Sequence, residues 1–145
     1  MKATELRIGN IINTKQFGIQ TITGIICGSQ VSVIHFSKTD HKLHCALFLC
    51  DPVPLTPERL ETYGFIQVEN YFNGLMEEYV LSMPVKGSNK NEIYYYFPHT
   101  KQNTTPFGRY AVNGYHGSNN FVYEHELQNI YFSLTGEELK EKIPA

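Results

Sequence analysis

The stretch DPVPLTPERLETYGF, residues 51–65, constrains the chain most, because it continues neither a strand nor a long helix. Proline has no N–H for a β-ladder and a ring that fixes φ, so Pro52 and Pro54 enforce an extended connector. Thr56 then offers an N-cap oxygen, Pro57 suits the first helical position and Gly64 suits a left-handed exit. The spacing predicts a short helix over residues 57–63, with Leu60 and Tyr63 pinning one side of it to a core. Two β-rich units joined near residues 51–56 follow from this.

Before the connector, residues 7–13 (RIGNIIN), 18–27 (GIQTITGIIC), 30–36 (QVSVIHF) and 42–50 (KLHCALFLC) are rich in Ile, Val, Thr and Phe, with Gly28-Ser29 as a tight break. In QVSVIHF, Val31, Val33 and His35 face one way while Ser32, Ile34 and Phe36 face the other. This predicts a small barrel of SH3-like size over residues 1–52. Beyond the helix, FIQVENYF and LMEEYVLSMPV flank Asn73-Gly74, the dipeptide best suited to a two-residue hairpin tip. The turn at 87–91, the strand EIYYYFP, the polar loop HTKQNTTPFG and the strand RYAVNGYH complete the pattern, with Asn113-Gly114 free to form another tight turn. The fold class expected is α+β and mostly β. Residues 53–145 would form a four-stranded antiparallel meander covered by a C-terminal helix, and the two units can pack as one domain.

A chain of 145 residues with 41% hydrophobic and 18% charged residues is long enough to bury a sizeable core. No apolar run approaches the ~20 residues that cross a bilayer, and the opening MKATELRIGN lacks a signal-type apolar stretch. Three cysteines without a C-x-x-C pair suit a reducing compartment. A cytoplasmic location without membrane contact is expected. The net charge of −2 lacks the excess of a typical nucleic-acid binder. The first fifty residues are nevertheless basic, with five Lys/Arg against Glu5 and Asp40, so weak nucleic-acid contact through that half stays open.

HELQ, residues 125–128, matches the start of a zinc-protease helix, which requires histidines at i and i+4 on one face. Asn129 stands where the second histidine is needed, so no metal is expected there. His41, His44, Cys45 and Cys50 do not converge on one continuous strand, because His41 and Cys45 fall on one face and His44 and Cys50 on the other. A nucleophile elbow and a phosphate-binding glycine loop are both missing, so no catalytic residue and no cofactor are expected. The final helix carries Tyr123, Leu127, Ile130, Tyr131 and Leu134 as a core-facing stripe. His125, Gln128, Asn129 and Phe132 are then left projecting outward as contact candidates. Thr135, three residues before Glu138, has capping-box spacing, which predicts an end near Gly136 and a short terminal helix.

The aromatic run Tyr94-Tyr95-Tyr96-Phe97 is the remaining functional signal. On a strand, Tyr95 and Phe97 share the face of Ile93, while Tyr94 and Tyr96 take the other. One face belongs to the core; the other can serve as a stacking platform, with Arg109 and His116 on a neighbouring strand. The candidate binding residues are therefore Tyr94, Tyr96, Arg109, His116, His125, Gln128 and Phe132.

ELRIGN near the start, PVPLTPERLETYGF in the middle and HELQNIYFSLTGEEL at the end together resemble an uncharacterised family of small proteins from Bacteroides-type gut bacteria and their prophages or mobile elements. The resemblance spans nearly the whole chain in order and is least between about residues 70 and 120. It implies a bacterial intracellular protein and carries no activity with it. Two functions are compatible with the residues. One is a non-enzymatic binding or accessory module that contacts a protein or nucleic acid. The other is a small hydrolase or other enzyme assembled from scattered groups such as His99, Arg109 and His116. A pocket lined by histidine and carboxylates would favour the enzyme, and a flat aromatic patch the binder.

Overall fold

A computed structural model describes residues 1–28, 32–38, 41–68, 75–83, 90–99, 105–117 and 120–142. They form an α+β, mostly β fold with two five-stranded antiparallel sheets and one long helix near the C-terminus. The chain divides into two compact units. One contains Met1–Pro54 with Tyr123–Asn129, and the other Leu55–Val122 with Ile130–Ala145. Among the described residues no helix is long and apolar enough to cross a membrane.

In the first unit β1 (Ile11–Thr14), β2 (Gly18–Ile26), β3 (Val33–Lys38), β4 (His41–Ala46) and β5 (Cys50–Pro52) are ordered β4-β3-β2-β1-β5. The β1–β2 turn is closed by Thr14, whose Oγ1 accepts the Phe17 N–H at 3.0 Å and donates to the Gly18 carbonyl at 3.0 Å. Gly18 supplies the φ of +72° that this turn requires. Alternation drives the packing. Ile12, Ile22, Ile34 and Phe36 are fully buried and meet Leu6, Cys45 and Cys50 in one cluster. Each of the four contributes about 1.5–3 kcal/mol through burial. A register shift between Ile22 and Gly24 bends β2 between its two partners. No closure of this sheet into the expected barrel is seen among the described residues. β4 and β5 occupy its two edges, and no pairing joins them among the described residues.

The predicted strand over 42–50 is also broken. A 3₁₀ turn at Leu47–Leu49 separates β4 from β5 and changes the parity on which the cysteine reading relied. Cys45 and Cys50 therefore converge in the core with their sulfurs 3.1 Å apart. Burial, aided by the hydrogen bond with Cys45, pushes the Cys50 thiol up to about 12. It stays a neutral and inert thiol.

The second unit opens with α1 (Pro57–Thr62), where Thr56 accepts the Arg59 N–H at 3.2 Å and Gly64 exits at φ +88°. Leu60 and Tyr63 are both buried, as their spacing predicts. The strands β6 (Ile66–Val68), β7 (Met76–Met83), β8 (Asn91–Pro98), β9 (Phe107–Val112) and β10 (Tyr115–His116) follow as a meander in the order β10-β9-β8-β7-β6. The expected four strands become five because Asn113 (φ 53°) and Gly114 (φ 82°) make the tight turn into β10. β6 and β7 pair antiparallel. The Asn73-Gly74 tip lies outside the described residues, as do Ser29 and Val31 of the first unit, positions 87–89 of the following turn and most of the polar loop after β8.

One face of this meander is core. Tyr79, Leu81, Met83, Ile93 and Tyr95 are buried on it, and the Tyr95 hydroxyl donates to the Val122 carbonyl at 2.8 Å. Phe121 bridges to Gly108, and a Cβ at Gly108 would lie 2.1 Å from the Phe121 ring. A side chain there would displace the Phe121 ring.

The long helix α2 (Glu124–Thr135) ends where expected, with Gly136 at φ +74° and its N–H on the Phe132 carbonyl at 2.7 Å. The short terminal helix is not formed. Thr135 Oγ1 instead accepts the Glu137 N–H at 3.0 Å, and residues 136–142 run without helix, with Lys142 N–H bonded to the Thr62 carbonyl at 2.7 Å.

Two outcomes follow. A thiol reagent should label exposed Cys27 in the native protein, and Cys45 and Cys50 only after denaturation; rapid native labelling of either would contradict the packed thiol pair. Gly108→Ala should lower stability by about 1–3 kcal/mol in denaturant titration, because Phe121 must move.

Candidate binding face on the second sheet

Strand register assembles this face in rows. Val68 pairs with Glu78, Glu78 with Tyr96 and Tyr96 with Phe107. Ile66, Val80, Tyr94 and Arg109 form the next row, and Ser82, Glu92, Ala111 and His116 the third. Because side chains alternate, all of these project from the side opposite the core. Ile66 is 72% exposed, and Arg109 and His116 are exposed, while Glu78, Tyr96 and Ala111 are buried, so this side meets solvent at its outer strands and through the half-buried Tyr94.

The centre of the face is aromatic. Tyr94 and Tyr96 lie parallel, with centroids 6.4 Å apart and planes 9° apart. His116 lies 5.8 Å from Tyr94, Phe107 lies 5.2 Å from Tyr96, and the Arg109 guanidinium covers Phe107 at 5.4 Å. Arg109 Nε also donates to Asn120 Oδ1 at 3.0 Å, which holds the guanidinium over the ring. The register sets Arg109 beside Tyr94, and the turn at Asn113-Gly114 returns His116 to the same face, whereas parity along one continuous strand would put Arg109 and His116 on opposite faces.

Two carboxylates that sequence reasoning missed adjoin the tyrosines. The Tyr94 hydroxyl donates to Glu92, and the Tyr96 hydroxyl donates to Glu78 Oε1 at 3.5 Å. Glu78 is only 5% exposed. Burial raises its carboxyl above the usual range, the Tyr96 hydrogen bond partly offsets this, and the Glu92 charge adds to the rise. Both glutamates line a cavity of about 510 Å³, walled also by Ile66, Val68, Val80, Ser82, Tyr94, Gly64 and Lys142. Among the described residues no histidine lines it. The usable signal in the sequence was parity, since Glu78 and Glu92 share the alternation of Tyr94.

The helix candidates belong elsewhere. Phe132 is 40% exposed on α2, away from these rows in sequence and register. His125 and Gln128 do not project outward, because they are 2% and 3% exposed within the first unit. There Asn10, fully buried, accepts the Arg7 N–H at 2.8 Å and donates to Asn129 Oδ1 at 2.9 Å and Gln128 Oε1 at 3.3 Å. Gln128 Oε1 also accepts the Ile11 N–H at 2.9 Å, and Asn129 Nδ2 donates to the Glu5 carbonyl at 2.8 Å. HELQN is therefore the structural partner of RIGN, and its polar residues are buried because they satisfy the backbone of the N-terminal segment.

His125 stacks on Tyr123 at 6.1 Å with planes 10° apart, and its Nδ1 has no hydrogen-bond partner among the described residues. Burial lowers its pKa below 6.5, against smaller opposing pulls from Glu126 and Glu5 and a small further push from the N-terminal ammonium. His99, the other histidine of the enzyme alternative, lies 3.7 Å from Glu77 and shares the parity of Phe97. Among the described residues no cluster of His, Cys, Asp and Glu side chains can hold a metal ion.

No protein-family model matches this chain, and no curated protein or solved structure does so either.

The buried histidine sets a pH dependence. The folded state favours neutral imidazole, so the stabilisation it carries is fully present above pH 6.5 and is lost as pH falls through the window down to the lowered folded pKa. Chemical denaturation of wild type and His125→Phe between pH 7.5 and 5 should show the steeper acid loss in wild type; parallel curves would refute the assignment. Asn10→Ala should cost about 1–3 kcal/mol by removing the acceptor of the Arg7 N–H and the donor to Gln128 and Asn129.

Proposed function

We propose that the protein is a non-enzymatic binding module whose second sheet contacts a protein partner through the Tyr94/Tyr96 face. The observation that carries this is the half-buried Tyr94, stacked on the buried Tyr96 and bordered by Phe107 and by exposed Arg109 and His116. Tyrosine, phenylalanine and arginine are the residues enriched where proteins meet. Rigid rings lose little conformational entropy when they are covered. A nucleic-acid partner is disfavoured, because Glu78 and Glu92 stand beside the rings and repel phosphates. An enzymatic role is disfavoured too. The described contacts link the tyrosines to carboxylates and pair no nucleophile with a base.

Within the same proposal the protein is a bacterial or prophage accessory factor acting in the cytoplasm. The support is its resemblance in ELRIGN, LTPERLETYGF and HELQNIYFSLTGEEL, together with three cysteines that form no disulfide.

Selection of a displayed random-peptide library on the full chain tests the function. Enriched peptides should bind wild type with micromolar affinity and bind Tyr94→Ala and Arg109→Ala at least tenfold more weakly. Enrichment that is indifferent to both substitutions would remove the face from consideration. Tight, salt-sensitive binding of single-stranded DNA in its place would make nucleic acid the partner.

A further inference from the structure

We propose that the cavity beside Tyr94 is a subsite for an alkylammonium or guanidinium group, with Glu78 as its counter-ion. The inference rests on the binding function proposed above and names the chemistry that the face selects: a lysine or arginine side chain of the partner, or a free alkylamine of the same shape.

The first ground is an uncompensated buried carboxylate. Glu78 is nearly inaccessible, and among the described residues its hydrogen bond is the long one from Tyr96. Among the described residues no basic side chain forms an ion pair with it. A buried charge without a partner is costly, and a cation entering the cavity would offset that cost.

The second ground is the shape and lining of the space. Ile66, Val68 and Val80 provide an apolar wall for a methylene stem, and Tyr94 presents a ring to a cationic head. The cavity volume of about 510 Å³ exceeds the needs of one such side chain. Ile66 at 72% and Val68 at 40% exposure are apolar surface waiting to be covered.

The third ground is where the cavity's own cation lies. The Lys142 side chain crosses Gly64, where a Cβ would meet its Cε and Nζ at 2.2 Å. Gly64 lies before Ile66, on the side of Ser82, and Ser82 stands four residues from Glu78 along β7. That separation is roughly 13 Å between Cα atoms, at about 3.3 Å per residue. Each glutamate accepts one tyrosine hydroxyl, and Glu78 is the more deeply buried of the two with the longer bond, so it gains more from an incoming charge.

The test titrates the full chain with n-butylammonium and n-butylguanidinium, with n-butanol and butyrate as neutral and anionic controls, followed by amide shifts of Ile66, Val68, Glu78 and Tyr94. The cations should produce saturable shifts with a millimolar Kd, and the controls should not. Affinity should fall as pH is lowered toward 5, since protonation of Glu78 starts above the ordinary carboxylate range. Glu78→Gln should weaken binding at least tenfold while leaving the fold as stable or more so, because it removes an uncompensated charge. Ile66→Trp, an exposed wall substitution that spares the core, should block binding independently.

A Lys→norleucine change in a selected peptide identifies the source: loss of affinity assigns the ammonium to a protein partner. Butylammonium binding without any selectable peptide supports the subsite with a free amine as its ligand and removes the protein-partner function. Equal binding of n-butanol and n-butylammonium, or indifference to Glu78→Gln, overturns the subsite. Peptides that still depend on Tyr94 would then leave the binding face standing.

Discussion

The hydrogen bonds of Asn10 are the constraint on which the first unit depends. A single buried amide meets the Arg7 backbone and the side chains of Gln128 and Asn129, and Gln128 in turn takes the Ile11 N–H just before β1 pairs with β2. Sequence separation of more than a hundred residues makes closing this contact entropically costly. It persists because each amide left without it would be buried and unsatisfied, at about 1–3 kcal/mol apiece. The network also explains the composition of HELQN. Its histidine and amides resemble a contact surface in sequence, and in the fold they are interior groups that hold the N-terminal segment in register.

The second unit follows a different logic, in which a single sheet separates two chemistries. The odd-numbered residues of β7 and β8 bury Tyr79, Leu81, Met83, Ile93 and Tyr95, while the even-numbered ones place Glu78, Glu92, Tyr94 and Tyr96 on the opposite side, with Glu78 and Tyr96 themselves buried there. A shift of one residue would exchange the faces, so the core side fixes the register and the display side inherits its geometry. Gly108 contributes by absence, since only a residue without a Cβ lets Phe121 close over β9. The Tyr94 and Tyr96 side of the sheet is thereby positioned by residues of the core side.

Local signals were readable in advance wherever the physics is local. The Thr56 cap, Pro57 and Gly64 delimit α1, Asn113-Gly114 makes its turn, and Gly136 ends α2. The Tyr94–Phe97 parity also held, because alternation is a property of any strand. The failures share a cause. KLHCALFLC reads as one strand, yet a 3₁₀ turn lets Cys45 and Cys50 both reach the core, and burial of two thiols outweighs continuity of pairing. Thr135 and Glu138 have capping spacing, but Thr135 spends its hydroxyl on Glu137 and Tyr131. His125 and Gln128 look solvated because polarity in a sequence cannot distinguish a wet surface from a buried network.

By itself, then, the sequence determined the class of fold, the division of the β-structure by a proline-rich connector and the side of β8 on which Tyr94 and Tyr96 stand, all of which depend on backbone sterics and two-residue periodicity. The tertiary structure alone decided that Asn10 meets Gln128 and Asn129, that Glu78 is buried without a cationic partner among the described residues, and that Arg109 and His116 come to the tyrosines. Those facts depend on which distant residues share a row or a core. Long-range pairing is selected by the free energy of the whole packed chain, and no local window of residues contains it.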